Sequence, residues 1–438
     1  MKIIILSHKR SLNKAEGLIE AYKDQEIYLV SDISPNKERR PFFKNVKSFV
    51  SKGFDPVHIT SNITTCDKIY TVSENLLPLQ SQLESFYGID NISPFAAEVL
   101  SNKQYFDDYC RTIGLEDFVP KSITPTFHSQ LEIFSNKEIF TKPDIGTGTN
   151  VFLPDTDQNI PKIEYRRWNN YHHFLKFLKN TNFHNDFFNY NKSGIQNERF
   201  NYKSCKTMVQ EYFFSEEPCL IPVGYVKNGI VNNICYLKTT KVNYGDLLDP
   251  LLTPIELHNK SRTSDIGKDL AVWSVKNEEV LPERHEKMQF FLQTLIDNLK
   301  IQDMIFVGPD FHISKGKLIA IDFNPRPGQF MNILNKLNGN TIFPDILSER
   351  TVEIKNQLLW GCAMLKPGVI KSINNLNSVE KYLNLYNTKL ETNMVIPEFQ
   401  NLQNKDFTVN LNILGKNEQE LFTNYKNVNQ LLQKCITY

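Results

Sequence analysis

What this chain lacks narrows the field first. It has no CxxC pair. Its seven cysteines, at positions 66, 110, 205, 219, 235, 362 and 435, are scattered and form no Cys/His set with zinc spacing. That pattern argues against a disulfide framework or a structural zinc and fits a reduced, cytoplasmic setting. No run approaches the ~18–20 apolar residues that span a bilayer. The apolar stretch near the start, Ile3 to Leu6, is only four residues long, too short for the apolar part of a secretion signal and better read as a first buried strand. Charge is nearly balanced, with 50 Lys+Arg against 49 Asp+Glu and a formal net charge of +1. Neither a nucleic acid nor a membrane is therefore expected as a partner, and the short patch Lys37–Arg40, which contains an acid, reads as solvated surface.

Catalytic signatures are missing too. GxxxxGKS and GxxxxGKT are absent, against a P-loop nucleotidase, and the turn SHKRSLNK after the first apolar run lacks GxGxxG, against a dinucleotide site there. No GxSxG elbow occurs, and no cysteine has a convincing basic partner nearby in sequence to activate it. His172 and His173 adjoin on a helical stretch, where neighbours point in different directions and do not share one metal ion. No internal repeat is visible.

What is present is an ordinary globular composition, 40% hydrophobic and 23% charged over 438 residues, enough for about two to four domains. The first ~95 residues alternate strand and helix (KIIIL, LNKAEGLIEAYK, EIYLVS, then DKIYTV and LLPLQSQLESFYG), which predicts an α/β unit with a parallel sheet. AAEVLSNKQYFDDYCRTIG predicts one helix closed by Gly114. The Asn-rich stretch from 180 to 203 reads as a long surface loop or flap, and 244 to 280 as irregular. In LPERHEKMQFFLQTLIDNLK, Met288, Phe291, Leu292, Leu295, Ile296 and Leu299 fall at helical spacing. The segment after ~346 predicts a further α+β unit.

One run carries chemistry. In KLIAIDFNPRPG, Asp322, Asn324 and Arg326 stand at alternate positions where a strand ends at Pro325 and Pro327. Upstream lies GPDFHIS, with Asp310, and the two runs meet through SKGK, a turn centred on Lys315–Gly316 where glycine accepts positive φ. A tip there sets Asp310 opposite Asp322 to within about one residue. Like charges facing across a β-ribbon cost up to ~1 kcal/mol, and a divalent cation between them reverses the sign. Two carboxylates and an amide oxygen are hard donors of the type Mg2+ takes beside phosphates and water. On spacing alone, two acids on a solvated sheet face account for the pattern equally well.

Asp310, Asp322 twelve residues on, then Asn324 and Arg326, resemble the metal hairpin of the ATP-grasp superfamily. Other segments resemble that superfamily in matching order. SNKQYFDDYCRTIGL is similar to its ATP-region opening helix, which implies that Lys103 reaches the phosphates. FTKPDIGTGTNVF is similar to its phosphate strand and loop, with Lys142 on phosphate oxygens and the Gly146–Gly148 turn closing over the nucleotide. MVQEYFFSEEPCL is similar to its adenine hinge: Gln210, Glu211, Tyr212 and Phe213 would meet the base and Glu217 the ribose. The resemblance implies an α/β and α+β chain: a Rossmann-like lobe over 1–95, a small ATP-grasp lobe over 96–206, a large lobe with hinge and hairpin over 207–345, and a C-terminal α+β lobe over 346–438.

The implied activity is an ATP-dependent carboxylate–amine ligase, of L-amino-acid-ligase-like or biotin-carboxylase-like architecture. Its cofactors would be ATP and two Mg2+ ions on Asp310, Asp322 and Asn324, with Mn2+ as a substitute. Arg326 would meet the acyl phosphate or carboxylate, and Lys238 and Arg262 are candidate substrate or phosphate contacts. Small-molecule substrates and a homodimer, the assembly of many relatives, complete the expectation. Two departures stand out: Asp322 replaces the Glu of many members, and the GTGTN loop has fewer glycines than many. Bicarbonate activation and an inactive ATP sensor are the competing readings.

Overall fold

The computed structural model describes residues 1–8, 12, 14–32, 46–145, 166–180, 184–193, 195–196, 204–243, 253–260, 267–348, 350–362, 365, 368–375, 377, 379, 382, 392–393, 395–396 and 410–438. The apolar start is a strand, β1 (Lys2–Leu6), whose Ile3, Ile4, Ile5 and Leu6 are all fully buried. Burial on both faces is the mark of an inner parallel strand. β1 pairs in parallel with β2 (Glu26–Ser31) and β4 (Lys68–Thr71), and β2 with β3 (Lys47–Val50), giving the order β3-β2-β1-β4. The order reverses between β1 and β4, so the turns that follow them, at His8 and at Ser73–Asn75, lie side by side at the carboxyl edge, where open α/β sheets take ligands. Helices α1 (Glu16–Ala21), α2 (Pro56–Asn62) and α3 (Leu77–Tyr87) flank this sheet.

Where one helix is predicted from Ala96 to Gly114, two form. α4 (Pro94–Ser101) stops at Asn102, whose extended backbone lets its side chain accept from the N–H groups of Gln104 and Tyr105 and so start α5 (Lys103–Thr112) afresh. β5 (Ser122–Ile123), β6 (Ile139–Pro143) and β7 (Arg166–Trp168) join a later strand in a small antiparallel sheet under α6 (Tyr171–Asn180) and α7 (His184–Ser193). α7 corrects the reading of 180–203 as loop: Phe187 and Phe188 bury against Phe174 and Leu178, which supplies the apolar face a helix needs. A ribbon, β8 (Ile195–Gln196) with β9 (Ser204–Cys205), leads to β10 (Thr207–Glu211), and the sheet order is β5-β10-β6-β7.

The large antiparallel sheet contains β11 (Cys219–Lys227), β12 (Ile230–Asn243), β13 (Gly267–Val275), β14 (Asp303–Val307), β15 (Phe311–Ser314), β16 (Lys317–Ala320), β17 (Gln357–Cys362) and Asn410–Gly415. The segment 244–280, expected to be irregular, supplies α8 (Pro254–Lys260) and β13, whose Ala271, Trp273 and Val275 are core residues. α9 (Pro282–Leu299) buries the six residues whose spacing predicts it. After the hairpin, α10 (Gln329–Leu337) and α11 (Ile342–Leu347) pack against α1; a Cβ on Gly17 would collide with the Phe343 ring, so that approach requires glycine. The C-terminal segment is α+β as expected, but its two long strands extend the large sheet instead of forming one of their own, and α12 (Glu418–Cys435) covers them.

Candidate active site

The hairpin forms as its turn chemistry predicts. Lys315 and Gly316 both have positive φ, 50° and 73°, and Ser314 faces Lys317. The register runs on to Phe311 opposite Ala320. Beyond it the Asp310 N–H donates to the Asp322 carbonyl at 2.7 Å and the Ile321 N–H to the Asp310 carbonyl at 2.9 Å. The two aspartates thus sit one residue out of direct opposition, and Val307 bridges to Asn324 just beyond.

Lys142 of β6 reaches this hairpin from the small sheet. It is 1% exposed, and Nζ donates to Asp322 Oδ1 at 2.9 Å and to the Ile321 carbonyl at 3.1 Å. A lysine this deep is tolerated only when paired, and the pair joins residues 180 apart in sequence. Asp144, two residues on, ties the same strand end to α5: its carbonyl accepts from the Lys103 N–H at 2.8 Å, and its carboxylate from Asn102 Nδ2 and the Lys206 N–H. Lys103, the first residue of α5, is thereby held at the exit of β6. Burial pushes the Asp144 carboxyl above its usual range.

Arg326 is nearly as deep. Its Nη2 donates to Asn324 Oδ1 at 3.0 Å and to Glu74 Oε2 at 2.9 Å, with both ion-pair side chains 9% exposed. Glu74 follows β4, so this pair fastens the N-terminal lobe to the hairpin. Near it, His8 Nε2 accepts from Asn75 Nδ2 at 2.9 Å, while His8 Nδ1 faces Asp32 at 3.3 Å.

The segment after β10, expected to be the adenine hinge, is anchored at both ends. The Glu211 and Tyr212 N–H groups donate to the Lys121 and Glu138 carbonyls, Tyr212 lies under the Arg167 guanidinium, and the Phe213 carbonyl accepts from His312 Nδ1 at 3.1 Å. Gln210 is buried, and its Oε1 has no hydrogen-bond partner among the described residues. Glu217 is held in two bonds by Arg284, which keeps its carboxyl below the usual range. Lys238, opposite Leu220 on β11, donates to Glu418 of α12, as does Trp273 Nε1, and its charge also acts on Glu217. Gly146, Gly148 and Arg262 fall outside the described residues.

Sequence reading missed Glu74, Asp144 and Asp107. Asp107, on α5, is fully buried beside Lys142 and Asp322; neither oxygen has a hydrogen bond of good geometry, although the Ser122 hydroxyl is near. Burial pushes its carboxyl up to about 7 against the pull of Lys142. The native state then holds a proton that the unfolded chain has released. Stability charged to this group falls as pH rises from the ordinary carboxylate range through about 7. Asp107→Asn, which cannot titrate, should therefore gain on wild type as pH rises, by up to about 4 kcal/mol across the window. Melting curves at pH 5 and pH 8 check this, and a constant difference would refute it.

The donor set suits a hard cation. Asp310 and Asp322 offer carboxylates and Asn324 an amide oxygen, and the Asp322 and Asn324 oxygens each already accept a bond from a cationic side chain. Among the described residues no group of three or more His, Cys, Asp or Glu could hold a metal without other donors, so phosphate or water oxygens would have to complete the shell.

No protein-family model matches the sequence, and no curated protein matches it either. Solved structures do match, over the whole length. An L-amino acid ligase from Bacillus licheniformis superposes with a TM-score of 0.65 at 10% identity, covering 100% of this chain and 98% of that one. A phosphoribosylglycinamide synthetase from Anaerococcus prevotii gives 0.60 at 11% identity, with coverage of 100% and 98%. An N5-carboxyaminoimidazole synthase from Aspergillus clavatus, in complex with ADP and 5-aminoimidazole ribonucleotide, gives 0.59 at 10% identity and 98% of each chain. The chain has the ATP-grasp fold. The hairpin β15–β16 belongs to the large antiparallel sheet and the strands β6 and β10 to the small one, and Lys142 of β6 joins the two at Asp322. Among the described residues no helix is long and apolar enough to cross a membrane.

Proposed function

We propose that this chain is an ATP-dependent ligase that joins a carboxylate, of an amino acid or small peptide, to an amine through an acyl phosphate. The observation that carries the reading is the convergence of Lys142, Asp322, Asn324 and Arg326 on one hairpin end from two sheets. A carboxylate oxygen attacks the γ-phosphorus of ATP, and the bond to the bridging oxygen breaks with ADP leaving. The amine nitrogen then attacks the acyl carbon, phosphate departs with its C–O bond electrons, and the nitrogen sheds a proton. Such chemistry is mainly positioning and charge neutralisation. Lys142 and Lys103 would bind phosphate oxygens, Gln210 to Phe213 would bind the adenine, and Arg326 would steady the carboxyl oxygen as charge builds on it. Asp310, Asp322 and Asn324 would hold Mg2+, or Mn2+ in its place, which when bound neutralises phosphate charge. A reduced cytoplasmic setting and a homodimer belong to the same reading.

The test is ADP release with Mg-ATP and paired amino acids, then with bicarbonate. Release that depends on an amino acid pair supports the ligase. Release on bicarbonate alone favours a carboxylase, and tight ATP binding with no release favours a sensor; either outcome overturns it. Asn324→Ala should cut amino-acid-dependent ADP release by about 10²-fold while its melting curve stays near wild type, because Arg326 keeps Glu74.

A further inference from the structure

The turns after all four strands of the N-terminal sheet meet at one imidazole. His8 comes just after β1, Asp32 directly after β2, Phe54 shortly after β3 and Asn75 shortly after β4. Asp32 Oδ2 lies 3.3 Å from His8 Nδ1, and Asn75 Nδ2 lies 2.9 Å from His8 Nε2. Phe54, itself buried, meets the His8 ring edge to face, with centroids 4.9 Å apart and planes at 87°. Position and tilt of the ring are therefore both set. The ring is not sealed from solvent: the His8 side chain is 14% exposed and that of Asp32 29%.

The partners also set the proton. A carboxylate only accepts, so His8 Nδ1 carries the hydrogen. An amide NH2 only donates, so Nε2 presents its lone pair. The other end of that amide completes the arrangement. Asn75 is 8% exposed, and its Oδ1 is buried with no hydrogen-bond partner among the described residues, a condition buried polar atoms seldom keep. A half-turn of the amide brings Oδ1 to Nε2, where it can accept from an imidazolium N–H. Each protonation state of His8 thus has its own hydrogen-bonded form. The same short turn also holds the hairpin's arginine: Glu74, the residue before Asn75, accepts from Arg326 Nη2 at 2.9 Å.

We propose that His8 is the general base that takes the proton from the attacking amine, with Asp32 as its positioning residue and Asn75 as acceptor for the charged ring. The inference rests on the ligase reading, which leaves the destination of that proton open. The nitrogen lone pair forms the bond to the acyl carbon, and phosphate leaves with the electrons of the C–O bond. A proton on that nitrogen moves to His8 Nε2, displacing the Asn75 N–H, and the imidazolium later returns it to water. Imidazole is the side chain that takes and gives back a proton most readily near neutral pH.

The experiment sets two nucleophiles against each other in the full-length protein: the amine component of the amino acid pair that supports ADP release, and hydroxylamine in its place. Once bonded to the acyl carbon, a hydroxylamine nitrogen is acidic enough to lose its proton to water, so it depends least on a base. Expected: His8→Gln lowers kcat with the amino acid by about 10²–10³-fold, leaves KM near wild type, and lowers hydroxamate formation far less. Positional isotope exchange in ATP with each amino acid alone, which reads acyl phosphate formation and involves no amine attack, persists. Asp32→Asn shows the same selective loss in smaller degree. The base is overturned if His8→Gln keeps its turnover with the amino acid, loses both nucleophiles alike, or loses isotope exchange. Should circular dichroism show His8→Gln unfolded, Asp32→Asn carries the comparison, and an equal loss on both nucleophiles there overturns the proposal. A wild type that releases no ADP with any amino acid pair sinks the ligase reading and the base with it, whereas a wild type that turns over no faster than His8→Gln sinks the base alone.

Discussion

Asp322→Asn should leave a folded protein whose ADP release is lower by about 10²–10³-fold, the size of effect that follows loss of one preorganised charge in a reacting site. The asparagine keeps an acceptor for Lys142 and occupies the same space, so the 2.9 Å contact survives as a charge–dipole bond. What disappears is the negative charge that would hold the cation and offset Lys142. Asp322→Ala goes further and leaves Lys142, 1% exposed, with the Ile321 carbonyl as its one remaining hydrogen-bond partner among the described residues. Losing a bond to a charged group costs about 1.5–3 kcal/mol, and because Asp322 is itself 31% exposed, water can enter and hold the loss to that range. The pair of variants therefore separates chemistry from folding: both should be inactive, and only the alanine should melt early. ADP release at saturating Mg-ATP and a denaturation curve for each decide it. Wild-type turnover in Asp322→Asn would remove Asp322 from the reaction.

The contrast between these residues and their neighbours shows where sequence reading stops. Hairpin geometry is local: Lys-Gly at the tip fixes the turn, alternate residues fix the faces, and Asp310 and Asp322 follow within one position. The helix at Met288–Leu299 is local for the same reason. By contrast, Asn102 splits a helix that periodicity runs straight through, because side-chain capping competes with helix continuation without disturbing the apolar pattern. α7 hides in an Asn-rich stretch since its core-facing aromatics are few and its polar face long. Partners are harder still. Glu74 reaches Arg326 across 252 residues and Lys142 reaches Asp322 across 180; nothing in SENLL or FTKP declares which distant charge it will meet. Lys238, a candidate ligand contact by resemblance, likewise meets a partner 180 residues away, Glu418, that its local sequence does not declare.

Glu74→Gln should destabilise the protein by about 3–5 kcal/mol, the cost of stranding one partner of a buried ion pair. In this chain that amounts to roughly 5–10 °C in the transition that includes the N-terminal lobe. Glu74 and Arg326 are both 9% exposed and bonded at 2.9 Å, so water does little to replace the lost carboxylate. Removing both charges should cost far less: in Glu74→Gln with Arg326→Met no isolated charge remains, and an apolar chain of similar length fills the space. A double-mutant cycle on the two substitutions should accordingly give a strong coupling, with the double variant melting above the Glu74 single variant. Activity should not follow stability. The double variant lacks the guanidinium and should release almost no ADP, while Glu74→Gln alone keeps it but frees it to turn away from Asn324, and should lose about 10–10²-fold. If the double variant melted no higher than the single one, the pair would be exposed enough to be worthless. The N-terminal lobe would then be held to the hairpin by the apolar packing of α1 on α10 and α11 alone.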